Sequence, residues 1–359
     1  MNSFYFLLFL TKQFIFKIID KRAILIIDFF KYVLSKIFEL IVSIRHFLYD
    51  RELIKSKKFN YTKIISIGNI SVGGTGKTPH VIKAVKDLKE YKIAVLSRGY
   101  KKKVDGEVIV YDKKRFSTAE DGGDEPYMIA KKSGVFTVSN PNRSQSLGGV
   151  LKKYSPDFII LDDGFQHRKV KRDIDIVLVD SIRFLGNKKF IPYGILRDSI
   201  ERLKYSDTII LTKVSRRDKK VDKQIEILKE YNTNIVYSKI VADRITNGKD
   251  EIDISTIDKK RVLLFTGIAL RKPFLDLFSK SEKESLIFSD HHRFSDSDIK
   301  KIYYCGSGKD YIICTEKDYV NLPKNINNKI YFLKMDVELF DLEDKKTNFR
   351  DIIDRWTRR

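Results

Sequence analysis

The sequence predicts an α/β protein, a doubly wound and mostly parallel sheet joined to a smaller second α/β domain and to apolar N-terminal helices. Three observations predict it. Short apolar, β-branched runs recur between residues 63 and 211. The segments between them are long enough for crossover helices. The runs also end in polar or glycine residues. Continuous apolar runs suit strands buried on both faces, and their alternation with helical segments is the pattern of a parallel sheet. At ~150 residues per domain, 359 residues make about two domains, and 42% hydrophobic with 33% charged residues excludes global disorder. Cys305 and Cys314 exclude a disulfide scaffold and a cysteine zinc site, and fit a reducing compartment. The net charge of +22 suits polyanionic partners such as nucleic acid, anionic lipid or phosphorylated substrates, or reflects a Lys- and Ile-rich composition bias.

The first element, residues 1–50, is dense in Phe, Ile and Leu. Lys12, Lys17, Asp20, Lys21 and Arg22 interrupt it too early for a spanning helix, which needs about 20 apolar residues. No basic residue precedes the apolar run and no small-residue cleavage site follows it, unlike a signal peptide. Lys17, Lys21, Asp28, Lys31, Ser35, Glu39 and His46 are spaced so that, at about 100° per residue, they form one narrow polar stripe on a helix. The wide apolar remainder must be buried against the protein body or in a lipid surface. Peripheral membrane attachment is favoured, because that much apolar surface is hard to cover at a chain terminus. His46 reads as an ordinary helix residue.

The strands follow in order: Lys63–Ile67, Ile93–Leu96, Val135–Val138, Phe158–Leu161, Ile174–Val179 and Thr208–Leu211. They lead into Gly68-Asn69, Ser97-Arg98-Gly99, Ser139-Asn140, Asp162-Asp163, Asp180 and Thr212-Lys213. Ligands of open α/β sheets bind at the carboxyl ends of the strands, so these exits describe an active-site rim.

After the first strand comes Ser71-Val72-Gly73-Gly74-Thr75-Gly76-Lys77-Thr78. A Gly-Lys-Thr ending between a strand and a helix is the context of a phosphate-binding loop, with Ser71 at the position usually held by Gly. Its backbone N–H groups and the helix N-terminus attract phosphate oxygens. Lys77 is expected at the β- and γ-phosphates and Thr78 at Mg²⁺. Asp162 and Asp163, at the end of an apolar strand, are the paired Mg²⁺ candidates. Thr212-Lys213-Val214-Ser215 is similar to a guanine-reading loop that lacks its Asp, so ATP is expected over GTP. The first domain is therefore expected to be a P-loop NTPase core.

These motifs together resemble the tetraacyldisaccharide 4'-kinase family, the lipid A 4'-kinases of Gram-negative bacteria. The resemblance rests on Gly68–Pro79, Ser97-Arg98-Gly99-Tyr100, Gly123-Asp124-Glu125-Pro126, Asp162-Asp163-Gly164-Phe165-Gln166-His167-Arg168, Pro192–Arg197, Asp290-His291-His292 and Thr315-Glu316-Lys317-Asp318. These blocks stand in family order from about residue 60 to 320. Asp198 stands where the family usually has Glu, and residues 267–274 are a loose version of the family segment.

The resemblance implies transfer of the ATP γ-phosphate to the 4'-hydroxyl of tetraacyldisaccharide 1-phosphate, giving lipid IVA. It implies peripheral or monotopic attachment at the cytoplasmic face of the bacterial inner membrane, with neither nucleic acid nor an obligate protein partner. It places Asp124 as general base, His291 as the partner that orients it and His292 as a bystander. The dyad would be assembled by closure of the two domains. Asp198 is expected to join the Mg²⁺ set. Arg98, Arg168 and Lys317 are weaker phosphate candidates, and His80 is expected to face outward from the first turn after the loop.

The rival reading is a P-loop ATPase or GTPase switch, or a metallochaperone, acting on a protein partner. It explains the loop and sheet, but neither the Asp-Asp-Gly-Phe-Gln-His-Arg block nor the apolar N-terminus. A nucleic-acid binder using the positive charge lacks any helix-turn-helix, zinc-finger or RNA-binding strand signature. The expected layout is apolar helices over 1–50, a kinase core over 51–234, a second α/β domain with a two-stranded linker over 235–337, and a return helix over 338–359.

Overall fold

All six apolar runs form strands. The computed structural model describes residues 2–268, 271–290, 292–323 and 329–357, with side chains from residue 26 onward except 243 and 357. Its elements begin with α1 (Asn2–Asp50), β1 (Lys63–Asn69), α2 (Lys77–Asp87), β2 (Ile93–Ser97), β3 (Val108–Tyr111), α3 (Ala119–Gly122), α4 (Asp124–Ser133), β4 (Phe136–Ser139), α5 (Arg143–Tyr154) and β5 (Phe158–Asp162). They continue with β6 (Ile174–Asp180), β7 (Thr208–Thr212), α6 (Lys219–Lys229), β8 (Ile235–Thr246), β9 (Glu251–Asp253), β10 (Arg261–Thr266), α7 (Lys272–Asp276) and β11 (Glu282–Ile287). The last are α8 (Asp296–Cys305), β12 (Tyr311–Thr315), α9 (Glu316–Val320), β13 (Ile330–Phe340), β14 (Lys346–Thr347) and α10 (Phe349–Thr357). The chain divides into a first unit, Met1–Lys239 with Leu339–Arg359, and a second, Ile240–Glu338; it passes between them within β8 and β13.

In the first unit the strands lie in the order β7-β6-β1-β5-β2-β4-β3, and the start of β8 flanks β7. All pair in parallel except β3, which runs antiparallel to β4 at the edge. β2, β5 and β7 are buried at every residue, as crossover helices on both faces require. One core layer joins Leu147 and Val150 of α5 to Ala94, Leu96, Val138, Ile159 and Leu161. Another joins Val221, Ile225 and Leu228 of α6 to Val177, Val179, Ile209 and Leu211. α10 buries Phe349, Ile352 and Ile353, and the Phe349 N–H donates to Asp87 Oδ2 at 2.9 Å.

The N-terminus is one helix rather than two, and of its polar stripe Ser35 and His46 point inward while Asp28 and Lys31 pair with each other at 3.5 Å on an exposed flank. Ser35, Val42, His46 and Tyr49 are buried, while Phe29, Phe30 and Leu40 are 63%, 60% and 60% exposed. Lys17 and Lys21 lie where side chains are not described. The surface under the helix is mixed: Val42 and Phe38 pack on the apolar core of the first unit, with Phe38 6.0 Å from Phe190 between ring centres, and polar contacts lie beside them. Arg168 pairs with Asp50 at 2.6 Å, Arg202 with Asp50 at 3.2 Å, and Arg45 Nη2 donates to Gln166 O at 2.6 Å. Tyr32 packs edge-on against Tyr193 at 5.5 Å between ring centres, which seats the 192–197 segment on α1. Among the described residues no helix is long and apolar enough to cross a membrane.

The second unit carries its own parallel sheet in the order β11-β10-β12-β13, with β9 antiparallel to the end of β8. Leu264, Phe274, Phe278 and Ile313 form a core with Val262, and Leu263, Phe265, Phe294 and Ile302 form another. The Thr315-Glu316-Lys317-Asp318 block is structural at its last residue. Asp318 accepts from Thr266 Oγ1 at 2.7 Å, the Gly267 N–H at 2.9 Å and Thr315 Oγ1 at 2.6 Å.

Candidate active site

The polar strand exits are buried at Asn69, Ser97, Ser139, Asp162, Asp180 and Thr212, so these side chains are shielded from water. From β1 the chain turns through the glycine-rich loop into α2. Gly73 has φ +97°, which strains any residue with a Cβ, and the guanidinium of Arg183 lies where that Cβ would point. Asn69 Nδ2 donates to Ser71 O at 2.8 Å and to Thr75 Oγ1 at 2.9 Å. Val72 N donates to Ile195 O at 2.8 Å, and Thr212 Oγ1 to Thr75 O at 2.9 Å. Arg183 donates to Val72 O, and Lys213 to Gly74 O and, at 2.7 Å, to Asp180 Oδ2. The loop's outward carbonyls are thus braced by cations. Gly73 and Gly74 are exposed, and no heavy atom lies within 4 Å of where a Cβ on Gly74 would sit. Lys77 and Thr78 open the first turn of α2, where unpaired helix N–H groups favour an anion.

His80 does not face outward as expected; it is fully buried. Its Nδ1 donates to Gly76 O at 2.7 Å, and Ser238 Oγ donates to its Nε2 at 2.9 Å. Burial pulls its pKa down to about 4, so near neutral pH it is an uncharged strut under the loop.

Asp162 and Asp163 share a strand end but not an environment. Asp162 Oδ2 accepts from Ser97 Oγ at 2.8 Å, while its Oδ1 is buried without a hydrogen-bond partner among the described residues. Burial, then the charges of Glu125 and Asp163, push its pKa up to about 7. Asp163 stands at φ +57°, a position non-glycine residues rarely occupy. Arg143 Nη1 holds the backbone oxygens of both Asp residues. Arg197 makes a two-pronged pair with the Asp163 carboxylate, and Lys77 Nζ lies 3.7 Å from it. Burial acts to raise Asp163, but the Arg197 hydrogen bonds and the Lys77 charge outweigh it and hold the carboxyl well below the usual range. Two adjacent carboxyls pushed in opposite directions are equipped for different tasks. The strand-end block also explains its composition. A Cβ on Gly68 would stand 2.6 Å from Phe165 Cβ, so only Gly lets the segment after Asp163 lie against β1.

Asp124 is the first residue of α4, half-buried, and its carboxylate makes no hydrogen bond or ion pair with another described residue. His291 lies outside the described residues. His292, in the second unit, has Nε2 3.0 Å from Asp298 Oδ2. Asp198 has other partners than the Asp162–Asp163 pair. Its Oδ1 takes His46 Nε2 at 2.7 Å and the Ser199 N–H at 2.9 Å, and its Oδ2 takes Gln166 Nε2 at 3.1 Å. Arg168 is not at the phosphate loop either; it anchors α1 through Asp50 and lies over the Tyr49 ring at 5.0 Å. Arg98 is exposed at the end of β2, and its charge bears on Arg143. Lys317 belongs to α9 of the second unit. Sequence motifs did not assign Arg143, Arg183 or Asn69. Arg197 was visible in the Leu196-Arg197 pair, and Lys213 was visible only as part of a base-reading loop.

A glycine-rich loop entering a helix Lys-Thr first, with two carboxylates at the neighbouring strand end, defines a P-loop phosphotransferase. Its acceptor follows from kinship. The chain matches the model of the tetraacyldisaccharide-1-P 4'-kinase family over residues 27–356 and belongs to that family, whose members are lipid kinases. It is 35% identical to a tetraacyldisaccharide 4'-kinase of Flavobacterium johnsoniae over 83% of this chain and 88% of that one. It is 33% identical to that of Halothermothrix orenii over 90% of this chain and 89% of that one. The crystal structure of the Aquifex aeolicus relative in complex with ATP superposes with a TM-score of 0.72 at 28% identity, covering 90% of this chain and 97% of that one. A partner-loading switch or metallochaperone is not favoured, because the match runs through both units.

Proposed function

We propose that this chain phosphorylates the 4'-hydroxyl of tetraacyldisaccharide 1-phosphate with ATP, giving lipid IVA, at the cytoplasmic face of the inner membrane. The observation that carries the reading is the braced phosphate loop facing the Asp162–Asp163 strand end in a chain of this family. Residues 71–78 wrap the phosphates: backbone N–H groups of Gly73, Gly74 and Gly76 face the oxygens, while the Thr75 N–H closes the turn onto Gly73 O at 3.0 Å, and Lys77 meets the β- and γ-phosphates. Arg98, Arg143 and Arg197 add positive charge around the transferred group. Asp124 accepts the proton of the 4'-hydroxyl as its oxygen bonds to the γ-phosphorus and ADP departs.

The buried, unpartnered Oδ1 of Asp162 fits a Mg²⁺ ion or its bound water, with the Thr78 hydroxyl as a second ligand. Mg²⁺, when bound, neutralises charge between the β- and γ-phosphates. Asp163, already engaged by Arg197 and Lys77, and Asp198, engaged by His46 and Gln166, orient the site around it. Because the folded-state pKa of Asp162 is raised to about 7, the native protein keeps a proton that the unfolded chain releases near the ordinary aspartate value of 3.8. This group therefore lowers stability progressively as pH rises from the unfolded value to the folded one. A cation that binds the ionised form reverses the loss. Thermal melts should show a larger Mg²⁺-induced rise in Tm at pH 8 than at pH 6, and Asp162→Asn should flatten that difference. An equal rise at both pH values would remove Asp162 from the metal.

The outward face of α1 supports membrane attachment. Each large apolar side chain moved from water to hydrocarbon contributes about 1.5–3 kcal/mol. The helix exposes Ile26, Ile27, Phe29, Phe30, Leu34, Leu40 and others along one side. Deleting residues 1–50 would also strip Val42, His46 and Tyr49 from the body, so outward substitutions are the cleaner test. Phe29→Ser, Phe30→Ser and Leu40→Ser together should abolish flotation with anionic phospholipid vesicles while leaving Tm unchanged. Continued flotation would place the attachment elsewhere. The function itself is tested by incubating the full chain with ATP, Mg²⁺ and tetraacyldisaccharide 1-phosphate in mixed micelles. Gain of one phosphate by mass spectrometry is expected, and ATP hydrolysis without transfer would refute the lipid kinase.

A further inference from the structure

α1 reaches the support of the phosphate loop at two side chains: Arg45, which holds the Gln166 backbone oxygen at 2.6 Å, and His46, which holds a carboxylate. His46 is buried on a helix whose other face is bare apolar residues. Arg168 Nη1 lies 3.2 Å from His46 Nδ1, and a guanidinium only donates, so Nδ1 is the acceptor and Nε2 carries the hydrogen given to Asp198. Asp198 is 1% exposed, where an unpartnered carboxylate would be costly. Burial acts to raise its pKa, but the hydrogen bonds from His46, Gln166 and the Ser199 N–H hold the carboxyl below its ordinary value.

The contacts continue inward. Gln166 Nε2, which donates to Asp198 Oδ2 at 3.1 Å, also lies 2.9 Å from Asn69 O. Asn69 holds Ser71 O and Thr75 Oγ1 of the phosphate loop, and Arg197 joins Asn69 Oδ1 to the Asp163 carboxylate. Every bond in this path from α1 to the loop is made by side chains that are buried or half-buried, and none of them depends on solvent.

We infer that His46 is a positioning residue for phosphoryl transfer: it fixes Asp198, and through Gln166 and Asn69 it sets the phosphate loop in register with the seat of α1. The inference rests on the phosphotransferase reading. It differs from an ordinary packing role in what it should change. Loss of packing lowers stability and leaves each folded molecule as active as before. Loss of positioning lowers the turnover of folded molecules, because small misplacements at a reacting centre are costly.

The test uses the full chain in mixed micelles, with kcat and the KM for ATP measured beside Tm. His46→Leu should lower kcat about tenfold in folded protein, with the KM for ATP changed by less than about twofold. His46→Gln keeps a donor of similar reach and should recover most of kcat. Gln166→Leu cuts the path without touching α1 and should repeat the His46→Leu signature, which keeps the inference testable if His46→Leu does not fold. Wild-type protein without phosphoryl transfer would refute the functional reading and the inference together. Wild-type transfer with unchanged kcat in folded His46→Leu or Gln166→Leu would overturn the inference alone. So would a His46→Gln variant as slow as His46→Leu.

Discussion

Lys77→Ala should lower kcat for phosphoryl transfer by on the order of 10³ while the protein stays folded. Lys77 is the first residue of α2, and its ammonium lies 3.7 Å from Asp163, between the loop and the strand-end carboxylates. A cation placed there faces charge that builds as the γ-phosphoryl leaves ADP, in a pocket where Arg143 and Asp162 are buried and water competes little. Stability should change little, because Arg197 still holds Asp163 on both oxygens. Lys77→Arg should not rescue: a planar guanidinium cannot take the place of a compact ammonium in the first turn beside Arg197. The measurement is single-turnover transfer in mixed micelles beside a thermal melt. A kcat within about tenfold of wild type in folded Lys77→Ala would sink the assignment of the phosphate loop.

The sheet was legible because its strands are short, apolar and buried on both faces, and because their ends are chemically distinctive. Lys63–Ile67 became Lys63–Asn69, and Phe158–Leu161 became Phe158–Asp162, with the polar exits closing the strands. β3 was not read, because it is a four-residue edge strand with only Val110 fully buried. β11 reads Glu-Lys-Glu-Ser-Leu-Ile and is exposed at most positions, so it carries no strand pattern at all.

At the site, motif residues were legible and their supports were not. The fate of His80 depends on Ser238, which lies 158 residues away in the chain, and no local pattern reports that contact. Arg168 looked like a phosphate ligand, but its partner Asp50 lies in α1, 118 residues distant. The periodicity of α1 was read correctly, but amphipathic reasoning assumes that the body presents an apolar surface. Here the body presents Asp198, Arg168 and Arg202 beside the apolar seat of Val42 and Phe38, so His46 and Asp50 turn toward it and much of the apolar face is left outside. Asp198 shows the same limit. Its place after Leu196-Arg197 suggested a metal ligand, whereas its oxygens are taken by His46, Ser199 and Gln166.

Asp124→Asn should lower kcat by about 10²–10⁴ with the KM for ATP nearly unchanged, the range expected when a general base is removed. Asp124 opens α4, half-buried, its carboxylate without a hydrogen bond or ion pair to another described residue, so its lone pairs are available to a hydroxyl proton. The neighbouring Glu125 is exposed, yet its charge is the second cause that raises Asp162, after burial, so the start of α4 is electrostatically part of the site. That proximity allows the two acids to be told apart. Glu125→Gln removes a charge that raises Asp162 and should shift the pH dependence of Mg²⁺ binding downward, with only a modest loss of kcat. Asp124→Asn should instead leave Mg²⁺ and ATP binding intact and slow the chemical step in single-turnover experiments. An unchanged single-turnover rate in Asp124→Asn would remove it as the base. A raised KM for ATP at unchanged kcat would move Asp124 to nucleotide binding and leave the 4'-hydroxyl proton to another acceptor.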